Sequence, residues 1–559
     1  MRKFAVLAVC AGILVTSSNA MSLKISFFQP QTSADQNQLN TFNFTASTVA
    51  DPEDVARDFI ASQKQALGYF STFASDGYDT EDLEVEKVDS RENTTHVVFR
   101  QTLEDVPVFG QKLKVHLRSN QSVLLMNGQY VNLEEADVQN IVVIKPDQAI
   151  SLAMNSLGFR SDVENKVEET YIPHEDNLIF GYKVTTLAGK YGEFVSLVNA
   201  KDGKILKQYN QVLHPSGQGN PKSFNKLKKK YKDLLRQVKA EALNSAPSAL
   251  VSTNTTATIE GPQGTVHSAS IKTDPQAQKV VLKNLDDTGH LQGKSVVVMN
   301  GKEERAKDEN KKFHFEPEST HYHEVMAYYH IQEFIDYLKG LGVDFGEKPI
   351  QATVHHNDDD NSFYSPDKKQ LFFGDGGVPD SADADIILHE FGHAVVDRLA
   401  GLQGGWGTQA GAMHEGFGDY IASTFFGDPN VGEWDSSAYS EDGYLRTLAN
   451  RKVFPQDLTQ SSHEDGEIWG GVLWDLRKEL GKEAADSLIF HSLSFLPEKA
   501  TFKDGLIAIL SVDETRFKGK YKAKIQRNFF RRGIKVADPK VAAQHKSTFE
   551  GLYSDSQAQ

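Results

Sequence analysis

The chain has 559 residues and a formal net charge of −16. That length exceeds what one hydrophobic core serves and predicts roughly three or four domains. The acidic balance excludes nucleic-acid binding as the main task, because no basic face dominates the field.

Arg2 and Lys3 open the chain with positive charge, Phe4 to Val15 is an apolar run, and Ser18-Asn19-Ala20 is a small-residue cleavage pattern. Residues 1–20 are therefore expected to be an export signal, delivering the protein to the extracellular space or the periplasm. The run is too short to span a bilayer, which takes about 20 residues, and no later stretch is long and apolar enough. The only cysteine, Cys10, follows Val9 rather than the small residue of a lipid-attachment site, so it reads as apolar filler. An exported chain of this size needs no disulfide.

Residues 21–210 read as α+β. In 21–135, Asp54 to Leu67 has helical spacing, and three alternating runs follow: His96 to Arg100, Val106 to Gly110, and Leu113 to Leu117. These are strands joined by tight turns. In 136–210 a helix from Pro146 to Leu157 precedes the strands Phe180 to Val184 and Phe194 to Val198, and Asp202-Gly203 is a hairpin signal. Residues 211–256 read as a linker carrying the processing site, with the breaker-rich His214 to Gly219. Lys226 to Lys239 holds seven Lys or Arg; this is a solvated helix in preference to a membrane or partner helix.

From 257 to 559 strands come first and helices after, which predicts a two-lobed body with a cleft between the lobes. Strand candidates are Lys279 to Leu282, Ser295 to Met299, Pro349 to His356 and Gln370 to Phe373; His323 to Leu341 is a long helix. The chemistry lies in His389-Glu390-Phe391-Gly392-His393 and, 22 residues after His393, Glu415-Gly416-Phe417-Gly418-Asp419. Histidines four apart share one helix face and can bind one Zn²⁺. Glu390 is then placed to take a proton from a metal-held water. Glu415, on a second helix from Ala412 to Phe425, is the expected third ligand. Asp419, one turn on, is expected to accept the free ring N–H of His389. Asp385 supports the start of the first helix. His414 points about 100° away from Glu415 and is set aside. His355 to Asp360 could bind a cation but lies in an expected turn, and it reads as a solvated loop in preference.

These words together resemble a gluzincin metallopeptidase of the thermolysin/fungalysin type, and the resemblance covers nearly the whole chain. Val106-Pro107-Val108-Phe109-Gly110 and Asn199 to Leu206 are similar to the propeptide and the small domain attached to it. Asn361-Ser362-Phe363-Tyr364 and Gln370 to Gly376 resemble the edge strand that pairs with substrate, which makes Asn361 and Ser362 candidate substrate contacts. Leu445-Arg446-Thr447-Leu448 resembles the segment whose arginine contacts substrate carbonyls. Ser462 to Trp469 is similar to the fungalysin word whose histidine, here His463, stabilises the transition state. Asp457 is the candidate partner of His463, although it stands further away than usual. Taken singly, His463 also reads as a capping or core histidine, and Arg446 as a surface ion pair.

The resemblance implies a thermolysin-like catalytic domain behind small α+β propeptide domains, with one Zn²⁺ per catalytic domain. It implies an endopeptidase acting on proteins or peptides, held inactive by its own propeptide. Phe426 stands where thermolysin-type enzymes place a calcium-binding carboxylate, so calcium stays open. The family's oxyanion-stabilising tyrosine has no match; Gln403 to Trp406 occupies that region. A non-catalytic zinc-stabilised exported binding protein and an aminopeptidase of the same superfamily are the alternatives. Glu390 argues against the first, since metal binding alone does not need it.

Overall fold

The computed structural model describes residues 13–17, 22–28, 51–66, 80–91, 93–133, 136–159, 163–175, 177–188, 192–212, 262–266, 278–405, 407–436 and 443–535. The cleavage pattern at Ser18-Asn19-Ala20 and the basic segment 226–239 lie outside them. The chain is mixed α+β, with a strand-rich N-terminal region and a helical C-terminal region.

The N-terminal region is built on one twisted sheet. Its first part comprises β1 (Ile13–Ser17), β2 (Ser22–Phe28), α1 (Pro52–Ala66), β3 (Leu83–Arg91), β4 (Thr94–Leu103), β5 (Val106–Arg118) and β6 (Val123–Val131). Thus Ile13–Ser17, inside the expected export signal, forms a strand paired antiparallel with β2. The second part comprises β7 (Asp137–Gln139), α2 (Pro146–Leu157), β8 (Glu164–His174), β9 (Asn177–Leu187), β10 (Glu193–Asn199) and β11 (Ile205–Asn210). The two parts share the sheet across position 135, because Val108 on β5 pairs parallel with Tyr171 on β8. Val108 and Val131 of the first part also share a small apolar cluster with Tyr171 and Leu178 of the second, and each part has a cluster of its own. Ala56 and Ile60 of α1 pack on Val97, Phe99, Leu113, Val115, Leu117 and Met126, whereas Ala149 and Ala153 of α2 pack on Tyr182, Val184 and Val198.

Side chains on a strand alternate between faces. In β4, β5 and β6 the positions between those apolar residues are His96, Lys114, His116 and Asn127, and these are buried too. Their face is covered by the helical region. Lys114 Nζ donates to the carbonyl oxygens of Ala400 and Leu496, 2.7 Å from each. Asn127 Nδ2 donates to Phe495 O at 2.7 Å. The His116 ring stacks on the Phe495 ring, with centroids 4.9 Å apart, and His96 meets the same ring edge-on at 4.8 Å. Buried polar groups survive only when paired, and here the partners come from across the interface.

The C-terminal body begins with β12 (Gln263–Val266), β13 (Gln278–Val281), β14 (Val296–Asn300), β15 (Lys312–Phe313), α3 (Thr320–Gly340), β16 (Ile350–Val354), β17 (Phe363–Ser365) and β18 (Gln370–Phe372). One four-stranded sheet runs β14-β16-β18-β17, leaving β17 as an edge. That edge meets the N-terminal region. The Glu193 carboxylate accepts from the Ser365 hydroxyl and, at 3.2 Å, from the Asp367 amide. Val212 packs with Phe363 and Phe372.

Helices follow: α4 (Ala384–Ala400), α5 (Gln409–Phe426), the short α6 (Glu433–Ser436), α7 (Ser462–Leu480), α8 (Lys482–Ser492), α9 (Phe502–Phe517) and α10 (Lys522–Arg531). One apolar cluster extends from Val266 to Ile534 and takes in Leu124 and Leu125 of β6. The N-terminal sheet therefore shares a core with the C-terminal body.

Candidate metal centre

Helix α4 starts at Asp383, whose carboxylate accepts the Asp385 amide at 2.8 Å, and ends at Gly401 in the left-handed conformation, φ 64°. Its residues from Ala384 to Val396 are all buried, so it is a central helix with no solvent face. Helix α5 is capped by Thr408, whose hydroxyl accepts the Gly411 amide at 3.1 Å.

Glycines set how closely the helices approach. A Cβ on Gly392 would come within 2.7 Å of Gly418 Cα, and one on Gly416 within 2.5 Å of Gly466 O. Thus α4 meets α5, and α5 meets α7, almost backbone to backbone, and the neighbouring residues converge. His389 Nε2 lies 3.2 Å from Glu415 Oε2, His393 Nε2 lies 3.8 Å from Glu415 Oε1, and His463 Nε2 lies 3.3 Å from Glu415 Oε2. Two donors each about 2 Å from one ion at tetrahedral angles lie roughly 3.3 Å apart. Donor atoms of His389, Glu390 and His393 also fall within 4.8 Å of one another. His389 Nε2, His393 Nε2 and both carboxylate oxygens of Glu390 and Glu415 are buried with no hydrogen-bond partner. Orphaned donors of this kind, gathered at one point, fit a divalent cation.

The electrostatics match. Burial resists charge on Glu415, but His463, His393 and His389 outweigh it and hold the carboxyl well below its ordinary range. Burial keeps His393 neutral and pushes His463 down to about 4. Metal ligands must be unprotonated, and both conditions serve that. Burial opposes charge on His389 as well, but the hydrogen bond to Asp419 and the Glu415 carboxylate close to Nε2 hold it up at about 10; a cation at Nε2 would take the place of that proton. Burial raises Glu390 to about 8, which places its proton affinity in the range of a general base at neutral pH.

Behind His389, Asp419 Oδ1 accepts from Nδ1 at 2.8 Å. Arg446 forks onto Asp419, Nε to Oδ2 at 2.9 Å and Nη2 to Oδ1 at 2.7 Å. Arg446 is buried, so it is neither a surface ion pair nor presented to solvent; these contacts place it as the partner of Asp419. Asp457 is exposed, and its Oδ2 accepts the Val453 amide at 2.6 Å; the bond caps its own turn, which corrects its expected pairing with His463. Ser362 is fully buried; its hydroxyl donates to the Asp380 carboxylate and accepts the Gly374 amide. Asn361 is half-buried just before β17.

Two groupings were missed from the sequence. His414 Nδ1 lies 3.0 Å from His393 Nδ1, so the residue set aside touches a candidate ligand; only the depth of the helix crossing reveals it. The second is acidic. Oxygens of Asp360, Asp380 and Asp435 lie within 4.8 Å of one another. Beside them Asp383 Oδ2 accepts the Asp435 amide at 2.8 Å and Asp385 Oδ2 accepts the Gly432 amide at 3.1 Å. The stretch from His355 to Asp360 is only partly solvated, with Asp358 exposed and His355 inside. His355 is buried, with Nδ1 2.7 Å from Asp375 Oδ1, because backbone and carboxylate partners are available inside. The alternating acids Asp383-x-Asp385 and Glu433-x-Asp435 were the available signal.

Comparison with known proteins agrees with this geometry. Residues 282–537 match the family described as Fungalysin metallopeptidase (M36), and residues 81–130 match the Fungalysin/Thermolysin Propeptide Motif. A zinc metalloproteinase of Listeria monocytogenes is 25% identical over 440 residues, covering 71% of this chain and 77% of its own length. Bacillolysin of Bacillus subtilis is 22% identical over 455 residues, covering 74% and 78%. The extracellular metalloproteinase 5 of Arthroderma benhamiae is 26% identical over 218 residues, covering 32% and 34%. Among the described residues no helix is long and apolar enough to cross a membrane. With the peptidase and propeptide matches in one polypeptide, the chain belongs to the thermolysin/fungalysin-type zinc metallopeptidases, and it is a precursor carrying its own propeptide.

Proposed function

We propose that this zinc endopeptidase holds one metal ion through His389 Nε2, His393 Nε2 and the Glu415 carboxylate, and that Glu390 is its general base. The observation that carries this is the convergence of buried donor atoms from two helices with no hydrogen-bond partners of their own. Zinc bound there supplies a Lewis acid and lowers the pKa of a water it holds towards about 7. The Glu390 carboxylate takes a proton from the attacking water. The water oxygen bonds to the peptide carbonyl carbon, the C–N bond breaks, and Glu390 returns the proton to the leaving amine. His463, whose Nε2 faces the ligand carboxylate, is positioned to stabilise the oxygen on which charge grows. Loss of one such donor costs about 2.7–4 kcal/mol of transition-state stabilisation. Arg446 acts through Asp419, holding its carboxylate against His389.

Substrates are proteins or peptides laid along the edge strand β17. In the precursor, Glu193 and Val212 cover part of that edge, which supports a blocking role for the N-terminal region. Residues 1–20 would direct export, and processing would fall within 211–256. The acidic group of Asp360, Asp380 and Asp435 offers the all-oxygen surroundings of a hard cation such as calcium.

The test is Glu390→Gln in the processed protein. One zinc per chain should be retained while chelator-sensitive cleavage of casein disappears; retained proteolysis removes Glu390 from the mechanism. N-terminal sequencing of the active form should give a start between 211 and 256, and a start near Met21 would overturn the processing scheme.

A further inference from the structure

His393 and His414 face each other through their Nδ1 atoms, 3.0 Å apart and buried. Their rings are tilted by 49°, with centroids 5.1 Å apart. Two imidazole nitrogens at that distance hold one proton between them, because two would clash and none would leave two lone pairs opposed. A neutral imidazole carries a single N–H. If the shared proton belongs to His393, its Nε2 is bare and can take a cation. If it belongs to His414, His393 must carry its own proton on Nε2, which closes that atom to metal.

The metal site decides between the two. His393 Nε2 is buried with no hydrogen-bond partner, 3.8 Å from Glu415 Oε1, where His389 Nε2 also converges. A cation held there needs that nitrogen bare, so the shared proton sits on Nδ1 of His393 and the lone pair of His414 Nδ1 accepts it.

We infer that His414 is a positioning residue: it accepts a hydrogen bond from Nδ1–H of His393 and presents the bare Nε2 of that ring to the metal. This rests on His393 being a zinc ligand. The two histidine ligands are then oriented by different means, His389 by the Asp419 carboxylate and His393 by a neutral imidazole. Partners of this kind change metal affinity by about 10–100-fold when removed.

The discriminating pair is His414→Leu and His414→Asn in the full-length precursor. Leucine fills the space without an acceptor, whereas the asparagine oxygen can stand where Nδ1 stood. Zinc transfer to a chromophoric chelator is the readout, with melting of the metal-free proteins recorded alongside. The leucine variant should bind zinc about 10–100-fold more weakly and the asparagine variant close to wild type, at similar metal-free melting temperatures. Wild-type affinity in His414→Leu, or equal losses in both variants, overturns the inference. Heteronuclear NMR of the wild-type imidazoles gives a check free of variants: His414 found with its proton on Nδ1 also overturns it. A His393→Ala variant that keeps its zinc would instead defeat the ligand assignment itself.

Discussion

Lys114 Nζ lies 2.7 Å from the carbonyl oxygen of Ala400, the last residue of the helix that carries His389, Glu390 and His393. The same ammonium meets Leu496 O at 2.7 Å. A single propeptide side chain thus caps the C-terminal end of α4, where a cation is favoured. Burial of that ammonium is costly, as its pKa of about 8 records. Without it, however, two buried carbonyl oxygens lose their donor. Lys114→Met should loosen the docked propeptide by about 1–3 kcal/mol. Latent activity of the uncut precursor on a protein substrate should rise, as should proteolytic removal of the N-terminal region. Lys112→Met, which removes a more exposed pair with Glu86 and Glu498, should change either by much less. Equal effects from the two variants would deny Lys114 its role as a clamp.

The same interface should weaken in acid. His96 Nδ1 and His116 Nδ1 lie 2.6 Å apart against Phe495. Burial holds both rings well below their usual pKa; Arg91, Lys114 and Lys87 add to this at His96, and His96 and Lys114 at His116. Neighbouring Thr94 and Asn127 are neutral, while Glu498 and Glu86 offset Lys114. The docked pKa values lie below the undocked value of about 6.5, so docking is unaffected above that pH and is lost progressively as pH falls below it. Each histidine costs up to about 1.4 kcal/mol per pH unit in that window. Melting of the uncut precursor at pH 7.5, 6.5 and 5.5 should show this fall, and a His96→Gln, His116→Gln double variant should flatten it. Parallel curves for wild type and variant would refute the assignment.

The close crossing of α4 and α5 makes Gly418 a sensitive position. A Cβ there would sit 2.9 Å from His389 Nδ1 and 3.0 Å from Cε1, displacing the ring from Asp419. Gly418→Ala gains helix propensity of about 1 kcal/mol, while overpacking costs about 1–3 kcal/mol. Melting should therefore drop only modestly, while zinc affinity falls by about tenfold or more. Zinc titration beside calorimetry checks this; a variant that loses stability and keeps its affinity would show that the contact relaxes without moving the ligand.

The sequence made some of this readable and not the rest, for physical reasons. Ligand spacing along one helix is local, so His389, Glu390 and His393 declare themselves through a four-residue period. Glu415 and Asp419 do the same on the next helix. What joins α4 to α5 is the depth of a crossing set by Gly392 and Gly418, and no period reports depth. Hence His414, rotated off the ligand face of its own helix, could not be seen to reach His393. The alternation in His96 to Arg100 and Leu113 to Leu117 foretold strands. It could not foretell that the polar face would be buried, because its partners, Phe495 and Leu496, lie hundreds of residues away. Asp457 and Ser362 were placed by likeness of words, which does not report their hydrogen bonds: Asp457 accepts the Val453 amide, and Ser362 joins the Asp380 carboxylate to the Gly374 amide.

The acidic group beneath the head of α4 gives a prediction in which proton and metal compete. Burial pushes Asp360 and Asp383 up to about 6. It raises Asp380 and Asp385 as well, where neighbouring carboxylates add to it. A folded pKa above the unfolded value contributes stability that is fully present below about 4 and is lost as pH rises through about 6. Without a divalent ion the catalytic body should therefore lose stability across that window, as the carboxylates are forced to ionise against one another. A hard cation coordinated by Asp360, Asp380 and Asp435 reverses the sign, since it binds only the ionised oxygens. Added calcium should leave the melting temperature unchanged near pH 4.5 and raise it at pH 7.5, by about 2.7 kcal/mol of stability at a hundredfold excess over Kd. Asp435→Asn should abolish the calcium response while zinc content stays at one per chain. If calcium is indifferent at pH 7.5, the carboxylates must instead share protons, and the pH-dependent loss alone should survive.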